Sequence, residues 1–283
     1  MKNWSSPKKL VKQLVRIFVG NSLLAVDWAQ RLAGLEVPGT CVVLCYHAIR
    51  KSDRDRFARQ MDLLVRWTTP VAAGFQGHLS PGLRYAAVTI DDAYRCTVRN
   101  AIPILLDRGI PCTVFAPSSR LGGLSDWEME PDHPDRGSPI ATAEELGSLP
   151  TGLVTIGSHS RTHPRLNSLS DADAQSELVG SRQDLEKMLR RKVELFAFPH
   201  GEYDDRILDL CRDAGYRRVF QVTPGDTRFE TSEYAIHRVP ASPRDPLPVF
   251  WTKLLGGYSW TGSRQSSQEE GMSPSEEQQG DPR

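Results

Sequence analysis

Ala86-Ala87-Val88-Thr89-Ile90-Asp91-Asp92 is a short apolar run that ends on two adjacent carboxylates. Its length and β-branched content predict a buried strand. Two acids directly past its end are costly to hold together unless a cation or a shared proton relieves their repulsion. Outward from this stretch, runs of similar character recur at 41–46, 113–116, 154–156, 195–197 and 218–221. Between them lie helical patterns over 55–67, 97–108, 171–191 and 204–214, carrying for example Phe57, Met61 and Leu64, or Leu178, Leu185 and Leu189. Ser170 or Asp171 is placed to cap the third helix, and Gly109 and Gly215 stand where helices end. Strands alternating with helices predict an α/β fold of parallel strands joined by crossover helices.

Parallel strands all point their carboxyl ends the same way, so polar residues just past them collect at one end of the sheet. Those residues are His47, the Asp91-Asp92 pair, His159 and His163, and Pro199-His200-Gly201. The spacing of His159 and His163 suggests one helical turn presenting both imidazoles on one side. Two histidines and one carboxylate form a zinc-type donor set that leaves a position for water, and a second carboxylate outside it can take that water's proton. Each piece also has a plain structural reading: two histidines facing solvent, or Asp92 capping a helix. Their joint placement at strand ends favours a metal.

The whole chain sets bounds on function. Its 283 residues are 39% hydrophobic and 25% charged, which excludes a mostly disordered chain and a multi-span membrane protein. Lys+Arg and Asp+Glu balance at 35 each, so no overall field draws the protein to nucleic acid. Five cysteines, 41, 45, 96, 112 and 211, form no C-x-x-C pair, and reduced core thiols are expected. Over residues 7 to 33, Leu10, Leu14, Ile17 and Phe18 recur at helical spacing among Lys8, Lys9, Lys12 and Arg16. This basic amphipathic segment either packs on its own domain or lies on an anionic membrane. The expected organisation is an N-terminal helical segment over 1–36, a catalytic domain over 37–261 and a disordered polar tail over 262–283. With no export signal visible, a cytoplasmic location is expected, at the inner face of the membrane if the basic segment binds lipid.

These residues resemble the polysaccharide deacetylases with the NodB-homology domain, carbohydrate esterase family 4, from about Val42 to Val239. Thr89-Ile90-Asp91-Asp92-Ala93 stands where the family has Thr-Phe-Asp-Asp-Gly, and His159-Ser160-Arg161-Thr162-His163 matches its two-histidine segment. The resemblance implies a distorted parallel (β/α) barrel holding one divalent metal, most readily zinc, on Asp92, His159 and His163, with Asp91 as general base. It implies removal of acetyl groups, N-acetyl before O-acetyl, from a polysaccharide, oligosaccharide or lipid-linked glycan. Two alternatives stand beside it: hydrolysis of other carbon–nitrogen bonds, and an impaired glycan-binding or membrane-associated module. The family's Arg-x-Pro-x-Gly reads Ala197-Phe198-Pro199-His200-Gly201, so the Arg that orients the base is absent, and Arg161 or Arg238 is a substitute. His200 is expected to offer its backbone N–H to an oxyanion, with Pro199, Gly201 and Arg238 as substrate-binding residues. Tyr46-His47 resembles the start of the poly-N-acetylglucosamine deacetylase branch and makes His47 the general acid, ahead of His237. Ala93 replaces the usual Gly, a change that is free only if the position is not left-handed.

Overall fold

The computed structural model describes residues 32–222 and 233–256, with single positions between 22 and 30. Residues 7–21 of the basic segment and the tail over 262–283 lie outside the described residues.

All six expected strands form: β1 (Thr40–Tyr46), β3 (Arg84–Ile90), β4 (Cys112–Ala116), β5 (Val154–Ser158), β6 (Leu195–Ala197) and β7 (Arg218–Gln221). Three shorter ones join them: β2 (Thr69–Pro70), β8 (Ala235–His237) and β9 (Val239–Pro240). The strand order is β8-β7-β6-β5-β4-β3-β1-β9, with β2 beside β3, and every pairing is parallel. The two ends of this sheet are consecutive in the chain: β8 pairs with β7, β9 pairs with β1, and only Arg238 separates them. The chain thereby curls the sheet into the distorted (β/α) barrel expected from the sequence.

Period-two alternation sorts each strand into an inner and an outer row. Val42, Leu44 and Tyr46 of β1, with Ala86, Val88 and Ile90 of β3, belong to the larger core under the helices. Cys41, Val43, Tyr85 and Ala87 face the barrel interior together with Phe115, Leu195, Ala197, Phe220 and Ile236. Continuing the inner rows upward brings Cys45, Thr89 and then Asp91 to the top of the barrel. The interior is narrow enough that Phe115 and Phe220, with ring centroids 5.3 Å apart, fill much of it.

Helices α1 (Arg54–Trp67), α5 (Asp171–Leu189) and α6 (Asp205–Asp213) follow the expected patterns. The expected helix over 97–108 is instead two short ones, α2 (Arg95–Asn100) and α3 (Ile102–Asp107), because Pro103 has no N–H to continue the ladder and starts a new helix. A further short helix, α4 (Ala143–Gly147), precedes β5, and α7 (Leu247–Leu254) follows β9. Ser170 caps α5 by accepting the Asp173 N–H at 3.2 Å, and Gly109 and Gly215 leave their helices at φ +62° and +80°. All five thiols are free.

Gly157 on β5 tests the barrel interior. A Cβ there would lie 2.5 Å from the Phe115 ring and 3.0 Å from the Leu195 carbonyl oxygen. Gly157→Ala is therefore expected to lower stability by about 1–3 kcal/mol through overpacking. Phe115→Leu in the same chain should return part of that loss in a denaturant titration, whereas strictly additive losses would contradict this packing.

Candidate functional site

Beyond β3 the ladder continues one residue, with the Asp91 N–H donating to the Tyr46 carbonyl at 2.8 Å. Asp92 then turns to φ +68° and Ala93 to φ +49°, which sends the chain away from the sheet. Aspartate tolerates the left-handed region, but alanine gives up roughly 1–2 kcal/mol there. Ala93 is thus left-handed, the condition under which replacing glycine is not free; its carbonyl accepts the Ala141 N–H and its side chain is fully buried. Of six non-glycine residues with positive φ among those described, five are at this site: Asp92, Ala93, Ser160, His163 and His200. Strain gathered in this way marks a place where side-chain direction outweighs backbone comfort.

Asp92, His159 and His163 converge in burial. Asp92 Oδ1 lies 3.5 Å from His159 Nε2 and 3.3 Å from His163 Nε2. These are the spacings of atoms sharing one tetrahedral ion with bonds of about 2.0–2.2 Å. Oδ1 has no hydrogen-bond partner although it is buried, which would be expensive for a carboxylate left as it stands. His159 Nδ1 contacts the Ala197 carbonyl oxygen at 2.7 Å, which fixes the ring and leaves Nε2 directed at Asp92. Burial drives His159 down to about 4 against the pull of Asp91 and Asp92, so its imidazole is neutral near pH 7 and has a lone pair to give. The three donors fit a divalent metal.

The two histidines are not on a helical turn, as their spacing had suggested. Residues 159–163 form a tight loop in which Ser160 and His163 are left-handed, at φ +62° and +67°. Glu177 on α5 holds it by accepting the N–H groups of Arg161 and Thr162 at 2.8 and 2.9 Å and the Thr162 hydroxyl at 2.8 Å. Ser160 Oγ accepts the His163 N–H at 3.0 Å, and Ser181 donates to the Ser160 carbonyl at 2.8 Å. Glu177 and Ser181 are site-building residues that carry no motif of their own in the sequence.

Asp91 faces the other way, toward the barrel seam. Arg238 grips it with two parallel bonds, Nη1 to Oδ1 at 2.6 Å and Nη2 to Oδ2 at 2.8 Å. The same guanidinium donates to Thr89 Oγ1 and to the Gln221 carbonyl, and sits over the Phe115 ring at 5.4 Å. Burial opposes ionisation of Asp91, but Arg238 and the nearby histidines hold its carboxyl well below the usual carboxylate range. Arg238 is fully buried and spent on this pair, which corrects its reading as a substrate-binding residue. It stands on the carboxylate that the absent motif Arg was expected to serve. Arg161 pairs instead with Asp184, at 2.9 Å.

Above these residues opens a cavity of about 430 Å³ whose lining includes His47, Asp91, Asp92, His159, His163, His200 and Gly201. His47 is exposed on its wall, while His237 lies outside the lining and contacts Gln221 at 2.8 Å. Pro199 is buried and is not among the lining residues. His200 is left-handed at φ +59°, its ring edge-on to His163 with centroids 4.7 Å apart. Trp127 stacks on the His163 ring at 4.3 Å and is only 8% exposed, so it braces a histidine and has little face left for a sugar. Trp251 meets Trp67 edge-on instead of entering the cavity. The sequence reading passed over Arg50, Glu128, His133 and Arg244, which also line the cavity from loops that have no periodic signature.

Residues 80–219 match the family model described as polysaccharide deacetylase. YxkH of Bacillus subtilis (strain 168), named for the same family, is 24% identical over 219 residues, covering 74% of each chain. Among solved structures, IcaB from Ammonifex degensii superposes with a TM-score of 0.65 at 23% identity, over 77% of this chain and 98% of that one. The Streptococcus pyogenes deacetylase PplD, solved in complex with acetate, gives a TM-score of 0.62 at 17% identity, over 77% and 99%. The resemblance drawn from the motifs is borne out, and so is the barrel.

The buried pair supplies a stability test. Arg238→Met leaves Asp91 buried without its cation and should cost about 3–5 kcal/mol. Adding Asp91→Asn should recover much of that loss, and a double-mutant cycle in urea with no coupling would contradict the pairing.

Proposed function

We propose, for a chain whose residues 80–219 carry the match to the polysaccharide deacetylases, a metal-dependent hydrolase that removes N-acetyl groups from a glycan. The observation that carries this reading is the buried Asp92, His159 and His163 set on the floor of an open cavity, with an ionised Asp91 next to it in the chain. A divalent metal held by those three donors, zinc foremost, would supply a Lewis acid and a bound water of lowered pKa.

The protein's own groups supply the remaining steps. Asp91, kept ionised and aimed by Arg238, takes a proton from the water as its oxygen attacks the acetyl carbonyl carbon. The strained turn at His200 offers its backbone N–H to the oxygen that becomes negative. His47, exposed on the cavity wall, returns a proton to the leaving nitrogen as the carbon–nitrogen bond breaks, releasing acetate and a free amine. Stacking of Trp127 on His163 keeps that ring from rotating while charge develops beside it.

Acetate release from an N-acetylglucosamine oligomer, measured alongside elemental analysis, tests the reading. Asp91→Asn is expected to lower kcat by roughly 10²–10⁴-fold while about one metal per chain is retained. His47→Gln should lose kcat in the same range, with KM little changed. A parent protein that holds the metal yet releases no acetate from any acetylated glycan, or an Asp91→Asn variant as active as the parent, would overturn the assignment.

A further inference from the structure

The inner row of β1 places a thiol against the proposed base. Cys45 Sγ lies 3.3 Å from Asp91 Oδ2, on the edge of the carboxylate that also meets Arg238 Nη2. Cys45 is fully buried, yet two residues further along the chain, just past the end of β1, His47 is exposed on the cavity wall. One atom from each of Cys45, His47 and Asp91 can be chosen so that all lie within 4.8 Å of one another. These donors share no residue with the Asp92, His159 and His163 set.

We propose that Cys45, His47 and Asp91 form a second, inhibitory cation site for a thiophilic divalent ion such as zinc or cadmium. This inference rests on the function proposed above for its inhibitory half, and on geometry alone for its binding half. A thiolate, an imidazole and a carboxylate make a borderline-soft donor set that suits such ions. Sulfur and oxygen ligands of one tetrahedral ion, with bonds of about 2.3 and 2.0–2.2 Å, stand roughly 3.5 Å apart, close to the Cys45 to Asp91 spacing. Binding exchanges the thiol proton, released to solvent, for the metal–sulfur bond. Thiolate and carboxylate set two negative charges against the ion's two positive ones and that of Arg238, which keeps its bond on Oδ1, so the loaded site carries one net positive charge beside the open cavity. The ion enters from the cavity past His47, the one exposed member of the set. Its arrival occupies the proposed base and the proposed acid together, so turnover stops while the first metal stays in place.

Cadmium added to the protein already carrying one equivalent of zinc separates the two sites, because only the second contains sulfur. The expected result is a cadmium–thiolate charge-transfer band in the ultraviolet that saturates near one equivalent, with acetate release falling by tenfold or more in parallel. In Cys45→Ser, close in shape to the parent, the band should be lost, the zinc equivalent retained and the remaining turnover insensitive to cadmium. No band in the parent, or an equal band in Cys45→Ser, would overturn the site. A Cys45-dependent band without loss of turnover would overturn its inhibitory role. A parent that releases no acetate before cadmium is added counts against the proposed activity alone, since the band reads the site independently.

Discussion

A carboxylate buried at the top of a closed barrel stays ionised only if a cation is fixed against it. Arg238 is that cation, and its place is set by topology. It is the single residue between the two strands that occupy opposite edges of the sheet, so the turn that joins the edges also delivers the guanidinium. Closing the barrel and charging Asp91 are therefore one event. A buried ion pair of this kind adds little net stability compared with an apolar pair of similar size, and losing either partner is expensive. The arrangement makes sense as a device for holding a base in one orientation.

The neighbouring residue has the opposite need. Asp92 must turn from the barrel axis toward two imidazoles, and the chain meets that need with left-handed backbone at Asp92, Ala93, Ser160, His163 and His200. Each such residue opposes folding by a small amount, and rigid surroundings hold it there: the Glu177 clamp on the histidine loop, the Ala197 carbonyl on His159 and the Trp127 ring on His163. Two adjacent aspartates thus face two environments, one neutralised by arginine and one shaped for a metal.

The strands and the residues past their ends were legible because buried parallel strands are continuous apolar runs, and their carboxyl ends gather whatever polar residues follow. The histidine pair was found by type and spacing, but its geometry was misjudged, since four-residue spacing suits a helical turn and a clamped loop equally well. β8 and β9, three and two residues long, are too short to carry a periodic signal of their own. Arg238 reaches Asp91 across 147 positions; the sequence offers it beside Arg161 as the substitute for the absent motif Arg, and no local pattern decides between the two. The break before Pro103 is legible in the sequence, since proline lacks the N–H that one continuous helix over 97–108 would need. Arg50, Glu128, His133 and Arg244 reach the cavity from irregular loops, where only the folded chain shows a shared wall.

Two adjacent aspartates with different partners and one cation site on three buried donors form the core of this account. Anomalous diffraction from a crystal grown with zinc, collected at the zinc absorption edge, addresses it directly. The expected peak lies about 2.0–2.2 Å from Asp92, His159 and His163, with Asp91 still bound to Arg238 and outside the coordination sphere. An ion bonded elsewhere, or an Asp91 that leaves Arg238 to become a ligand in place of Asp92, would contradict it.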